Sequence, residues 1–260
     1  MTVTTRERQQ SILAQAYEHG HVSVKDLAEK LAVSVATIRR DLRALAAGGQ
    51  MELTYGGAFP ARNTDYSFRS KAARNVEAKQ VIGRLAGELA GDGDQVFVDS
   101  GTTAIAMAPY LRRRRGLSVI VNSARIAEEL DAPGLRVIML GGQYRADRMD
   151  TVGPMATAAL EQLRGYVAFI GADGLGMDFG LTASDIESAH LFRLAVRNSR
   201  EAILLADHSK FVAPSLYRIV EWDAIGRVVT DVEPESQWRE FFRERGIEVV
   251  FPDESAVSKE

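Results

Sequence analysis

The chain has 260 residues with a formal charge of −3 and no cysteine, which rules out a globally basic nucleic-acid coat, a disulfide framework, a thiolate nucleophile and a Cys-based zinc site. That length holds a small module plus one full-sized domain with its own core. No apolar run approaches the ~18 residues of a membrane span and the N-terminus shows no signal-peptide pattern, so a cytoplasmic protein without a membrane partner is expected.

The first predicted element is a helix over 6–18, with Ile12, Leu13, Ala16 and Tyr17 facing inward. Ser23 then caps a second helix, with Asp26 three residues on as a variant capping box and Val24, Leu27, Ala28 and Leu31 as its buried face. A tight turn at Ala32-Val33 leads to Ser34, which caps a third helix over 34–45. There Val35, Ile38, Leu42 and Leu45 share one side, while Ala36, Thr37, Arg40, Arg43 and Ala44 lie opposite and Arg39 sits on the flank. Small residues permit close approach to a groove, and Thr and Arg bond to base edges and phosphates. The plainer alternative is a helical hairpin with a solvated basic face. The short turn, the preceding helix and a wing-like hairpin over 50–55 between Gly48-Gly49 and Gly56-Gly57 favour a winged helix-turn-helix. Residues 1–60 hold seven Lys/Arg against six Asp/Glu, so charge is arranged by face and not by bulk. Tight DNA binding therefore calls for two or more modules acting together.

Residues 58–75 suit a connector, with Pro60, scattered basic residues (Arg62, Arg69, Lys71, Arg74) and the aromatics Tyr66 and Phe68. From residue 76 helices alternate with short apolar strands. Helices are predicted near 77–91, 103–114, 123–131, 153–164, 184–199 and 234–246, and strands near 95–99, 118–121, 136–140, 166–170, 202–206, 227–230 and 248–251. This alternation, with strands that are nearly continuous apolar runs, predicts an open, mostly parallel α/β sheet covered on both faces. The domain plan is 1–57 for the DNA-binding module, 58–75 for the connector, 76–252 for the α/β domain and 253–260 for a frayed tail.

Ligands bind at the carboxyl ends of strands in such sheets. Here those ends supply Asp99-Ser100-Gly101-Thr102-Thr103, Asn122-Ser123, Gly141-Gly142, Asp173, and Asp207 with Lys210. Gly101-Thr102-Thr103 opens a helix, a favourable place for an anion. Lys210 adds positive charge, and Asp99, Asp173 and Asp207 are candidate acceptors for hydroxyls. A phosphate at one end and sugar hydroxyls at the other satisfy that inventory, although Gly, Ser and Asp also populate βα turns for backbone reasons. No Walker loop is present, and the glycines at 171, 174 and 176 have the wrong spacing for a dinucleotide fingerprint. No cofactor and no metal site are predicted. The arginine run 112–115 reads as a solvated helix end, Trp222 and Trp238 as packing residues, and His190 and His208 as hydrogen-bonded neighbours.

Along nearly its whole length the chain resembles the DeoR-type bacterial transcriptional regulators. The resemblance is carried by Ile12-Leu13, Val22-Ser23-Val24, Leu27-Ala28, the run from Val33 to Leu42, and Gly56-Gly57-Ala58. In the larger domain it is carried by Asp99 to Thr103, Asn122-Ser123, Gly141-Gly142, Gly153, Phe169 to Ala172, Asp207 to Phe211, and Thr230-Asp231. It implies a sensor domain similar in fold to ribose-5-phosphate isomerases and glucosamine-6-phosphate deaminases, an effector that is a phosphorylated sugar or related metabolite, and repression relieved by it. The chain departs from the family pattern at residues 50–55, where arginines and a histidine are usual, at Val121 in place of a threonine, and around Glu187 to His190.

The expected function is thus a DNA-binding regulator, a repressor of a carbohydrate-metabolism operon, acting as a homo-oligomer on paired half-sites. Ser34, Ala36, Thr37, Arg39, Arg40 and Arg43 form its DNA face. Two alternatives stand beside it: a sugar-phosphate isomerase or deaminase with an appended module, which needs a placed general base, and an architectural DNA-binding protein whose large domain only oligomerises.

Overall fold

The computed structural model describes residues 4–19, 21–48, 50–60 and 68–252. Gly49, connector residues 61–67, the tail 253–260 and the Tyr17 side chain lie outside the described residues. The chain divides into two compact units, Met1–Val76 and Glu77–Glu260.

In the first unit, α1 (Thr5–His19), α2 (Val24–Lys30) and α3 (Val35–Ala47) surround Ile12, Ala16, Leu27, Ile38, Leu42 and Leu45, all buried. Ser23 accepts from the backbone of Lys25 and Asp26, and Ser34 from that of Thr37, so both helices start on the predicted caps. The turn between them places Ala32 at φ +51°, a left-handed conformation that costs a non-glycine residue about 1–2 kcal/mol. Three short strands, β1 (Val22–Ser23), β2 (Met51–Thr54) and β3 (Gly57–Pro60), pair antiparallel in the order β1-β3-β2 to make the wing. A Cβ on Gly57 would lie 2.1 Å from the Val22 carbonyl oxygen, so glycine is needed for β1 to approach. The wing strand runs on through Pro60, past the Gly57 boundary set from composition, because its ladder partner Met51 lies at the far end of β2. Helix α4 (Phe68–Ala73), from the segment read as connector, packs against α1.

One expected core residue is displaced. Val35 is 41% exposed, because helical side chains lean toward the N-terminus and the first residue of α3 leans past the core. Asp41, buried on the same helix, accepts from Arg8 of α1 at 2.6 and 3.2 Å.

The second unit begins with α5 (Val76–Leu89) and β4 (Gln95–Val98). A 3-10 turn (Ala104–Met107), α6 (Ala108–Leu111), β5 (Ser118–Val121), α7 (Ala124–Glu129) and β6 (Arg136–Met139) follow. Next come β7 (Gln143–Arg145), β8 (Asp150–Val152), α8 (Pro154–Glu161), β9 (Val167–Gly171), β10 (Gly174–Gly176), β11 (Gly180–Ala183), α9 (Ile186–Asn198) and β12 (Glu201–Leu205). The 3-10 turn His208–Phe211, β13 (Tyr217–Val220), the 3-10 turn Trp222–Ala224, β14 (Arg227–Val229), α10 (Ser236–Glu244) and β15 (Glu248–Val250) complete it.

The seven strands read from the sequence form one parallel sheet, ordered β15-β14-β12-β9-β4-β5-β6. Their apolar runs divide by alternation. Val96, Val98, Val119, Val121, Phe169 and Leu205 meet α5, α6 and α7 on one face. Phe97, Ile120, Ala168, Ile170 and Leu204 meet α8, α9 and α10 on the other. Strand β4 leads to β5 and β6 on one side and has β9 on the other, so the order reverses between β4 and β9. A crevice opens at such a reversal.

Two predictions needed revision. The helix over 103–114 is a 3-10 turn followed by the four-residue α6, since Pro109 has no N–H to continue a preceding ladder. The hairpin β7–β8 and the small sheet β10-β11-β13 were not predicted; strands of three or four residues are too short to show alternation.

Candidate DNA-reading helix and effector cradle

Helix α3 owes its character to where its charges point. Arg39, Arg40 and Arg43 are exposed, and none has an ion-pair partner among the described residues. The helix's one acidic residue, Asp41, is turned inward and neutralised by Arg8. Its outer surface is therefore uniformly positive. Ala36 and Ala44 are exposed between the arginines and leave room for a close approach. Ser34 and Thr37 share a hydroxyl contact of 2.9 Å, and Ser34 Oγ also accepts the Thr37 N–H at 3.1 Å, so part of their bonding capacity goes to the cap. At the wing tip Tyr55 is fully exposed.

In the second unit, the loop after β4 lies at the sheet's reversal point. Asp99 is buried and accepts N–H bonds from Gly101 at 2.8 Å and, from the end of the neighbouring strand β9, from Gly171 at 2.5 Å. A Cβ on Gly101 would lie 2.9 Å from this carboxylate. Asp99 thus shapes the loop, and its oxygens are engaged by backbone. Beyond it, Thr102 and Thr103 are over nine-tenths buried, and their hydroxyls have no hydrogen-bond partner among the described residues. The N–H groups of Thr102, Thr103 and Ala104 likewise have no backbone acceptor among them. Two hydroxyls and three successive N–H groups are the donor set that an anion site uses. The following helical turns are too short for a large macrodipole, so the local donors carry the attraction.

The other predicted residues divide. Asn122, fully buried, donates to Thr151 O at 3.0 Å and leaves Oδ1 without a partner among the described residues. Ser123 caps α7. A Cβ on Gly142 would come within 2.6 Å of the Val152 oxygen, so that glycine lets the chain cross β8. Asp173 accepts from the Ser184 N–H at 2.7 Å and hydroxyl at 2.6 Å, an engagement that accounts for it structurally. Asp207 caps the 3-10 turn carrying Lys210 through Ser209, and Phe211 anchors that turn by accepting from Trp238 Nε1 at 3.2 Å. His208 Nδ1 lies 2.6 Å from Asp231. No group of three metal-ligating side chains occurs among the described residues.

A cluster the sequence reading missed sits behind the loop. Arg145 binds both oxygens of fully buried Asp150 at 2.8 and 2.7 Å and reaches Asp185 at 2.6 Å and Ser188 at 3.0 Å. Arg148 joins at Asp185, at 2.9 Å. Ser100 Oγ donates to Asp150 Oδ2 at 3.0 Å, which ties the loop to the cluster. Burial alone would lower the Arg145 pKa, but its bonds to Asp150 and Asp185 outweigh that and hold it charged. Only the density of Arg and Asp between a double glycine and a helix start marks this cluster in the sequence.

The family model of the DeoR-like helix-turn-helix domain matches residues 8–63, and that of the DeoR C-terminal sensor domain matches residues 74–232. The chain belongs to the DeoR family. It is a DNA-binding regulator of transcription. The transcriptional repressor AccR of Agrobacterium fabrum is 33% identical to this DeoR-family chain, over 88% of this chain and 90% of that one. The regulator GlpR of Haloferax volcanii is 31% identical, over 94% and 96%. The glycerol-3-phosphate regulon repressor of Escherichia coli is 29% identical, over 88% and 91%. Among solved structures, ribose 5-phosphate isomerase A of Methanocaldococcus jannaschii aligns over 53% of this chain and 55% of its own, at 19% identity and a TM-score of 0.40. The three relatives named before it are regulators of transcription, and they lend the isomerase alternative no support.

Within this DeoR-family chain the arginine run has a structural use. Arg114 donates to the carbonyls of Gly87 and Glu88 at 3.0 and 3.3 Å, closing the C-terminus of α5. Trp222 and Trp238 pack 5.6 Å apart between ring centroids, with Phe241 and Phe242 5.3 to 5.5 Å from the two tryptophans. No helix among the described residues is long and apolar enough to cross a membrane.

Proposed function

We propose that this regulator is a cytoplasmic repressor that lets go of its operator when a phosphorylated sugar or related polyol phosphate fills the loop after β4. The reading rests above all on Thr102 and Thr103, two largely buried residues whose hydroxyls have no partner among the described residues, beside three N–H groups with no backbone acceptor among them. A phosphate supplies the acceptors that these donors lack. Lys210 adds charge from the end of β12, which neighbours β9 in the sheet. The relatives named for repression, one of them of a glycerol-3-phosphate regulon, agree with this reading.

On the DNA side α3 enters the major groove, with Thr37, Arg40 and Arg43 reaching base edges or phosphates and Ser34 and Arg39 holding the backbone. One such helix reads only a few base pairs, so a symmetric dimer or tetramer on paired half-sites is required for a specific operator. To act, the effector must bind the DNA-competent and incompetent states unequally, with a coupling of about 1–3 kcal/mol.

A gel-shift titration on the gene's own upstream DNA, with a panel of phosphorylated sugars, tests this. Release by a phosphorylated ligand and not by its dephosphorylated counterpart is the expected result. Replacing Thr102 and Thr103 together by valine should abolish release and leave operator binding intact. Equal loss of both would show that the loop serves the fold or the DNA instead.

A further inference from the structure

The ion cluster behind the phosphate loop has a fixed hydrogen-bond polarity, and Ser100 carries that polarity toward the ligand. Arg145 offers only donors, and it grips both oxygens of the fully buried Asp150 at 2.8 and 2.7 Å. Asp150 is therefore an acceptor in that place, and it takes the proton of the Ser100 hydroxyl at 3.0 Å. A hydroxyl has one proton to give. Having given it to Asp150, Ser100 Oγ faces the loop with lone pairs alone. A phosphate oxygen, itself an acceptor, gains nothing there, whereas a ligand hydroxyl can donate to it. Asn122, at the end of the neighbouring strand, has the same polarity: Nδ2 is engaged by Thr151 O and Oδ1 is a buried acceptor without a partner among the described residues.

We propose that Arg145 and Asp150 are positioning residues of the effector site. They hold Ser100 as an obligate acceptor, so that the loop takes an anion on Thr102 and Thr103 and reads a ligand hydroxyl on Ser100. Arg145 also bonds Asp185 and Ser188 at the start of α9, so the cap of that helix holds the same guanidinium in register. This inference rests on the phosphate-cradle reading above.

The experiment measures binding of inorganic phosphate, propyl phosphate and glycerol 3-phosphate to the full-length protein by ligand-induced thermal shift. Propyl and glycerol phosphates share an anion and a three-carbon chain but differ in two hydroxyls. The wild type should prefer glycerol 3-phosphate over propyl phosphate by about tenfold, the scale of one buried hydrogen bond. Asp150→Asn keeps the size but puts an NH2 in place of one of the two oxygens that Arg145 grips, so position 150 no longer takes donors alone and the Ser100 proton is released to turn toward the ligand. The preference should then collapse to within about twofold. Ser100→Ala, which leaves the ion cluster whole and covers the case of an unfolded Asp150→Asn, should collapse it as well. A merely structural role would weaken all three probes in parallel and leave the ratio standing. That result, or a wild type that binds phosphate without preferring the polyol, overturns this inference alone. A wild type that binds none of the three probes overturns the cradle reading and this inference with it.

Discussion

Tyr166 carries a phenol that is 1% exposed, and its hydroxyl has no hydrogen-bond partner among the described residues. Burial pushes its pKa up, against the opposing pull of the Arg164 charge. The ring is useful where it lies, 6.1 Å from Phe97 between centroids, but the oxygen is a desolvated group left unsatisfied. Tyr166→Phe should therefore stabilise the second unit by about 1 kcal/mol, read as a higher denaturant midpoint at unchanged slope. A lower midpoint would mean that the hydroxyl has a partner after all. Residues of this kind escape a sequence reading, since tyrosine looks the same whether its oxygen reaches water or not. Asp41 escaped likewise: helical spacing places it near the flank of α3, but only Arg8, 33 residues away, makes it a buried anion and leaves the groove face positive.

Among elements, the start of α9 is the one most exposed to acid. Burial pushes the Asp185 carboxyl up, but hydrogen bonds from Arg145 and Ser188 and the charges of Arg145 and Arg148 outweigh it and hold it well below the usual carboxylate range. In the unfolded chain this carboxyl takes up its proton near pH ~3.9, while in the folded protein it stays ionised to lower pH. The unfolded state thus binds more protons, and the stability this group contributes is fully present above about pH 5 and drains away as pH falls. Urea unfolding between pH 6 and pH 3 should show a steeper loss for the wild type than for Asp185→Asn, which keeps a side chain able to cap. Parallel curves would remove Asp185 from the account. At this scale the sequence was most legible for the seven sheet strands, whose apolar runs must be buried on both faces. The hairpin that holds Arg145 and Asp150 was invisible, because three-residue strands are defined by their partners and carry no pattern of their own.

For the whole molecule, operator binding should depend steeply on salt, because each phosphate neutralised releases counterions, with a slope near −0.9 per contact on a log–log plot. Arg40→Ala should reduce the magnitude of that slope by about one for every head that engages DNA if Arg40 touches phosphate. It should instead cost about 1–3 kcal/mol and relax base preference at one position if Arg40 reads a base edge. Fluorescence anisotropy from 50 to 400 mM salt separates the two. An unchanged slope, affinity and base preference would take Arg40 off the DNA face.

Local order carries some of this protein's chemistry, and long-range contact carries the rest. Caps, turn length, the arginine-bearing face of α3 and the apolar strand runs are properties of residues a few positions apart, where backbone geometry alone decides who meets whom. The reversal of strand order between β4 and β9, the grip of Asp99 on Gly171, 72 positions away, and the reach of Arg145 to Asp185, 40 positions away, were decided by the tertiary structure, because such residues meet only once the strand order is set.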